Sequence, residues 1–192
     1  MSGISATLEG KRLLLGLTGG VAAYKAAMLA SLLVQRGARV TAVLSPAARR
    51  FVGGATFAAL TGRPVAGRMF DPGRFPLGAH IELAARADAV VVAPATADFL
   101  ARAAAGAADD LLATLVLCAE CPVLVAPAMN TAMWEKAAVQ RNVRQVAADG
   151  LTVVPPGTGW LSCRRQGPGR MAEPEAIAAA VEQALAGRPP RG

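Results

Sequence analysis

His80 is the one histidine of the chain and so the one side chain whose ordinary titration falls near neutrality. It follows a Gly/Pro-rich stretch, residues 71–78, where exposure is expected. That makes it the natural acid–base residue, although a lone histidine also serves as a structural residue. Asn130 closes the run Pro127-Ala128-Met129-Asn130. An asparagine there either caps a helix or offers an amide to a substrate carboxylate without adding charge. Met129, Met133 and Trp134 beside it read as core filling or as walls of a site. Cys163 lies in a second Gly/Pro-rich stretch, residues 155–169, with Arg164 and Arg165 directly after it. Two guanidiniums favour a thiolate and attract anions, so Cys163 reads as a reactive thiol on a mobile loop. Cys118 and Cys121 form a Cys-x-x-Cys that closes a helix instead of opening one. No helix N-terminus activates either thiol, and zinc would need two further ligands. They read as structural thiols, and no metal site is expected.

These residues need positioning by strands and helices. Residues 13–17 are a short apolar run that reads as a buried strand. Residues 21–35 have helical spacing closed by Gly37, and residues 40–44 form a second strand. Further strands are expected at 89–93, 123–126 and 151–154, and helices at 96–105, 109–119, 131–148 and 173–185. Alternating helices and near-continuous apolar strands predict an α/β fold, a Rossmann-like (flavodoxin-like) doubly wound parallel sheet. Ligands of such sheets sit beyond the carboxyl ends of the strands. Three post-strand segments are then of interest. The first is Gly16-Leu17-Thr18-Gly19-Gly20, whose small residues let a helix N-terminus approach an anion. It is not the Gly-x-Gly-x-x-Gly fingerprint, and Leu44-Ser45-Pro46 offers no acidic residue for a ribose, which weighs against NAD. Ser45 can instead bond a phosphate. The third, Pro94-Ala95-Thr96-Ala97-Asp98, offers Thr96 as a helix cap or as a ligand for a ring or phosphate.

The chain has 192 residues, enough for one domain over residues 1–187, with a disordered tail expected at 188–192. Apolar residues make up 54% and the mean hydropathy is +0.40. This leaves apolar surface to spare, so a homo-oligomer is expected. The net charge of +7 comes from scattered arginines, with no basic run longer than a pair and few aromatics. That pattern reads as a solvated surface with sites for anionic ligands, and not as a nucleic-acid interface. The first ten residues lack a signal-peptide pattern, no apolar run reaches membrane-span length, and three cysteines cannot all pair. A cytoplasmic protein with free thiols is expected.

At these residues the chain resembles the homo-oligomeric flavin-containing cysteine decarboxylases. That family includes phosphopantothenoylcysteine decarboxylase and the peptidyl-cysteine decarboxylases of lantibiotic-type pathways. The resemblance runs from about residue 12 to residue 177. It rests on Pro127-Ala128-Met129-Asn130 with Met133-Trp134, His80-Ile81-Glu82-Leu83, Pro94-Ala95-Thr96-Ala97, and Gly167-Pro168-Gly169-Arg170-Met171. Each is unspecific alone, and four in order are specific.

The resemblance implies FMN, placed near Gly19, Gly20, Ser45, Thr56 and Phe57, with Ala95, Thr96, Ala97 and Asp98 along its edge. It implies trimers, often gathered into a dodecamer, in which His80 meets the flavin of a neighbouring subunit. A carboxylate alpha to nitrogen has no electron sink for loss of CO2. Oxidation of the neighbouring CH2–SH to a thioaldehyde creates one. His80 would assist proton movement, and Asn130, with Met129 and Met133, would hold the substrate. The coenzyme A branch then reduces the enethiolate with a loop cysteine as proton donor, where Cys163 stands. The peptide branch releases the enethiol. Coenzyme A enzymes usually carry Ala-Cys-Gly-Asp at that loop, whereas Ser162-Cys163-Arg164-Arg165 stands here. The two arginines suit a phosphate or a peptide carboxylate, which leaves both substrates open. Flavin-binding phosphatase regulators in the family carry acidic tails, unlike this basic chain, and flavin prenyltransferases should lack the pairing of Asn130 with Cys163. Bacterial members are commonly fused to a cysteine-ligating synthetase, so a freestanding enzyme and a domain of a longer chain are both expected forms.

Overall fold

Along β1 (Arg12–Leu17), Leu13, Leu15 and Leu17 pack into one hydrophobic cluster and Leu14 into another. This is the two-residue alternation of a strand covered on both faces. The computed structural model describes residues 7–189. Its main sheet has five parallel strands in the order β2-β1-β3-β4-β5, with β2 (Arg39–Leu44), β3 (Ala89–Ala95), β4 (Val123–Pro127) and β5 (Thr152–Val153). This is the flavodoxin-like order, whose direction of winding reverses between β1 and β3. The doubly wound sheet expected from the sequence is therefore present. Every residue of β3, the central strand, is buried, which explains its run of β-branched valines, Val90, Val91 and Val92.

Helices cover both faces. On one, α1 (Ala23–Gln35) and α8 (Pro174–Leu185) set Leu29, Leu33, Ile177 and Val181 against Leu15 and Val91. Phe57 of α2 (Gly54–Thr61) joins this cluster and is fully buried. On the other face lie α3 (Ala79–Arg86), α4 (Ala97–Ala104), α5 (Leu111–Cys118) and α7 (Ala137–Ala148). Phe99, Leu112, Leu115 and Val146 pack there on Val90, Val92 and Val125. Truncating a fully buried phenylalanine such as Phe99 costs roughly 3–5 kcal/mol, so this face contributes heavily to stability. Among the described residues, no helix is long and apolar enough to cross a membrane.

Two expectations are corrected. The helix expected over residues 131–148 is two helices, α6 (Thr131–Trp134) and α7, because Lys136 takes an extended ψ of 133° between them. Residues 155–169 are not a simple mobile loop. They contain an antiparallel hairpin of β6 (Gly157–Trp160) and β7 (Gln166–Arg170). Helices α2 and α3 had no sequence expectation. The tail expected to be disordered lies partly outside the described residues, at 190–192. Arg188 is placed: its N–H donates to the Leu185 carbonyl at 3.1 Å, and its carbonyl accepts from Lys11 Nζ.

Candidate active site

The carboxyl ends of β1 and β3 are tied together by one hydroxyl. Thr18 Oγ1 donates to the Pro94 carbonyl at 2.7 Å and accepts from the Thr96 N–H at 3.0 Å. This junction is the point where the winding reverses, and a cleft of about 1020 Å³ opens directly over it. The cleft is at the upper end of the size range of small-molecule and cofactor sites.

Its floor is backbone. After β1 the chain turns through Gly19 and Gly20 into α1. Among the described residues, the amides of residues 19–22 have no acceptor within the chain. These are the orphan donors of a helix start, and they suit an anion. Close packing keeps the turn small. A Cβ on Gly19 would come within 2.5 Å of Ala47 Cβ and 3.0 Å of the Ala47 carbonyl carbon. Ser45, nearly buried, accepts from the Ala48 N–H at 3.2 Å, which leaves its own hydroxyl proton to donate. Across the floor, Thr96 caps α4 by accepting from the Phe99 N–H at 3.3 Å.

Asn130 follows β4 and stands on the wall. Its Oδ1 accepts from the Met133 N–H at 2.9 Å and caps α6. Cap geometry fixes which side-chain atom is oxygen, and among the described residues Nδ2 is left with no acceptor. The hairpin holds this segment in place. The Met129 N–H donates to the Gly169 carbonyl at 2.9 Å, and Thr131 Oγ1 donates to the Pro168 carbonyl at 2.8 Å. Lys25 anchors the strand leaving the hairpin. Only 4% exposed, its Nζ donates to the Met171 carbonyl at 3.1 Å and pairs with Glu173 at 2.9 Å. That hydrogen bond holds the Glu173 carboxyl below its usual range, against a smaller opposing effect of burial.

A second charged group closes the rim. Arg102 of α4 pairs with Asp98, Asp109 and Asp110 at 3.0, 2.6 and 3.1 Å. Burial works against its charge, but hydrogen bonds to Asp109 and Asp110 outweigh it and hold the guanidinium above its ordinary range. The same contact holds the Asp109 carboxyl below its usual value. The network joins the start of α4 to the loop before α5, whose N-cap is Asp110.

The structure gathers Gly19, Gly20, Ser45, Thr96, Ala97, Asp98, Met129, Asn130 and Met133 around this one cleft. Ala95 lies just beneath, fully buried at the end of β3. Cys163 is exposed at the hairpin tip, one residue beyond the cleft-lining Ser162. Arg164 and Arg165 are exposed beside it, Arg164 with a φ of 61°. Thr56 is exposed on α2 and Phe57 is buried in the core, so neither lines the cleft. His80 sits in the first turn of α3, also outside it, with a buried Nδ1 that has no hydrogen-bond partner among the described residues. Residues lining the cleft that the sequence did not assign to it include Lys25, Arg102, Ala47 and Arg170. A lysine on the buried face of α1 was the available signal for the first.

Fold and cleft together define a flavodoxin-like α/β protein with an anion-ready site at its switch point. The chain belongs to the Flavoprotein family, which it matches over residues 2–186. It is 46% identical over 177 residues to the coenzyme A biosynthesis bifunctional protein CoaBC of Vibrio parahaemolyticus, covering 92% of this chain and 44% of that protein. The chain thus spans less than half the length of the curated relatives it matches. Among solved structures it resembles a PPC decarboxylase mutant complexed with pantothenoylaminoethenethiol, with a TM-score of 0.83, 30% identity and coverage of 91% and 98% of the two chains. It also resembles the FMN-dependent cysteine decarboxylase SpaF, with a TM-score of 0.79, 36% identity and coverage of 93% and 97%.

Proposed function

We propose that this chain is an FMN-dependent decarboxylase of a cysteine-derived carboxylate, converting phosphopantothenoylcysteine to phosphopantetheine in coenzyme A biosynthesis. The observation that carries this reading is the convergence of an anion cradle and the unpaired Asn130 amide over one switch-point cleft. Similarity to CoaBC and to PPC decarboxylase supports it.

The residues present fit FMN. Gly19, Gly20, the free amides after them and the Ser45 hydroxyl would hold its phosphate, and residues 95–98 its ring edge. When bound, FMN would supply the two-electron oxidation of the substrate CH2–SH that places C=S beta to the carboxylate, and would return the same two electrons to the enethiolate after CO2 leaves. Asn130 Nδ2 donates to that carboxylate and orients it. Met129 and Met133 form an apolar wall that limits water. Cys163 is the proton donor to the enethiolate, and Arg164 and Arg165 bind the substrate phosphate.

His80 acts on the cleft of a neighbouring subunit in a homotrimer, which also assembles into dodecamers in the cytoplasm. Supporting this, Leu77 and Ile81, close to His80 in sequence, are 73% and 49% exposed, and Phe70 earlier in the chain is 87% exposed. Large apolar side chains left in water mark an association surface.

A second reading is decarboxylation of a peptide ending in cysteine, to an enethiol. Similarity to SpaF and the hairpin-tip arginines favour it. Incubation of the purified protein with phosphopantothenoylcysteine, and separately with a cysteine-ended peptide, separates the two by product mass. A saturated thiol from the first substrate is expected. Turnover of neither would overturn both readings.

The cradle can be tested apart from turnover. Gly19→Val should give colourless protein. Displacing two charge-assisted hydrogen bonds of about 1.5 kcal/mol each raises the FMN Kd roughly 100-fold. Flavin absorbance on titration with FMN measures this, and normal loading would remove Gly19 from the cofactor site.

A further inference from the structure

Arginines from five separate segments meet at the amino ends of β1 and β2. They are Arg12, Arg39, Arg63, Arg74 and Arg86, and they line a groove of about 390 Å³. The groove shares no residue with the flavin cleft. β1 rises about 3.3 Å per residue, so Arg12 stands roughly 16 Å from Leu17 at the other end of the strand.

The charge in this groove is only partly neutralised, and at Arg12 the Asp88 carboxylate stands close enough to accept the Arg12 backbone N–H at 2.6 Å. Arg86 meets Glu82 at 3.4 Å and Arg74 meets Asp71 at 3.8 Å, both long for a charge-assisted pair. Among the described residues, Arg39 and Arg63 have no carboxylate partner. Five guanidiniums against these few carboxylates leave a local positive field, strongest at Arg39 and Arg63. The bottom of the groove is apolar: Leu14, nearly buried, with partly buried Phe75 and Leu83. The Arg74 guanidinium lies 5.1 Å from the centre of the Phe75 ring, within cation–π range. Here a planar cation and an aromatic face stand side by side beneath a rim of guanidiniums. Bidentate guanidinium forks match phosphate oxygens, and the apolar bottom matches a flat ring.

We propose that this groove binds a small organic polyphosphate of the nucleoside di- or triphosphate class. Arg39, Arg63 and Arg86 hold the phosphates, and Phe75 with Leu83 takes the ring. This site is independent of the decarboxylase reading, since it uses none of the residues assigned to that chemistry.

Isothermal titration of the FMN-loaded chain with ATP, and with inorganic tripolyphosphate, tests the proposal. ATP is expected to bind, to bind more tightly than tripolyphosphate, and to weaken as salt is raised. The variant carrying Arg39→Ser and Arg63→Ser should lose at least about tenfold in ATP affinity. Both positions are exposed, so flavin spectrum and Tm should be unchanged. No binding of ATP, or equal binding by the double variant, would overturn the site. Tripolyphosphate binding as tightly as ATP would overturn the ring half of the assignment.

Discussion

Gly169→Ala is expected to reduce decarboxylation by about 100-fold or more while leaving most of the sheet intact. Gly169 has a φ of 115°, a conformation that side chains rarely adopt, and a Cβ there would collide with the Met129 carbonyl oxygen. The collision has no soft partner. It is backbone against backbone, and the two segments are already joined by the Met129 N–H to Gly169 carbonyl bond at 2.9 Å. Relief requires the hairpin to lift from α6 or the 129–130 segment to shift, and either movement displaces Asn130. A displacement of about 1 Å at a positioning group is enough for a 100-fold loss. Backbone strain of about 1–3 kcal/mol and overpacking of about 1–3 kcal/mol add up to a destabilisation of roughly 2–6 kcal/mol. For a chain of this size that lowers Tm by about 5–20 °C. Gly187→Ala is the control. Gly187 also has a positive φ, 72°, but nothing lies within 4 Å of its Cβ position, so it carries strain without collision. It should lose stability and keep turnover. Steady-state kinetics and thermal melts of both variants check this. Full activity in Gly169→Ala would mean that hairpin docking does not place Asn130.

The same hairpin explains where sequence reading stopped. Strands β1, β3 and β4 were legible because burial on both faces demands unbroken apolar runs, and the runs at 13–17, 89–93 and 123–126 supply them. The cradle was legible for a related reason. Only small residues pass between β1 and Ala47, and Gly19-Gly20 stands where that passage must be. The strands of the hairpin, in contrast, have no alternating apolar pattern. Gly159, Gly167 and Gly169 are there because Arg170, Thr131 and Met129 press close. That is tertiary information. The break between α6 and α7 was equally hidden, since neither Gly nor Pro marks Glu135-Lys136. Helix α3 is eight residues long and starts from Gly78 without a capping side chain. Its start signal is therefore weak, and the Gly/Pro-rich stretch before His80 gave no sign that the histidine sits in a helical turn. Phe57 shows the reverse limit. Resemblance set it beside the flavin, while the packing of α2 on α1 takes it entirely into the core.

Asn130→Asp should remove nearly all turnover while sparing fold and cofactor. Asparagine has two duties here, and aspartate separates them. As a cap, Oδ1 accepts from the Met133 N–H, and aspartate performs this equally well. As a ligand, Nδ2 donates to the substrate carboxylate, and aspartate puts a negative charge in its place. Loss of a hydrogen bond to a charged group costs about 1.5–3 kcal/mol, and apposed like charges add a further few kcal/mol. Together they come to about 4–6 kcal/mol and lower kcat/KM by roughly 1000- to 20,000-fold. Asn130→Ala loses both duties, so it should lower turnover and also lose about 1 kcal/mol of stability with the cap. The diagnostic comparison is Tm against kcat/KM. Aspartate should hold Tm and alanine should not, although both lose activity. Flavin absorbance should be the same in all three proteins, because the cradle lies at β1 and β3 and not at β4. An aspartate variant with ordinary turnover would assign Asn130 to the cap alone, and the carboxylate would then need another donor among the cleft residues.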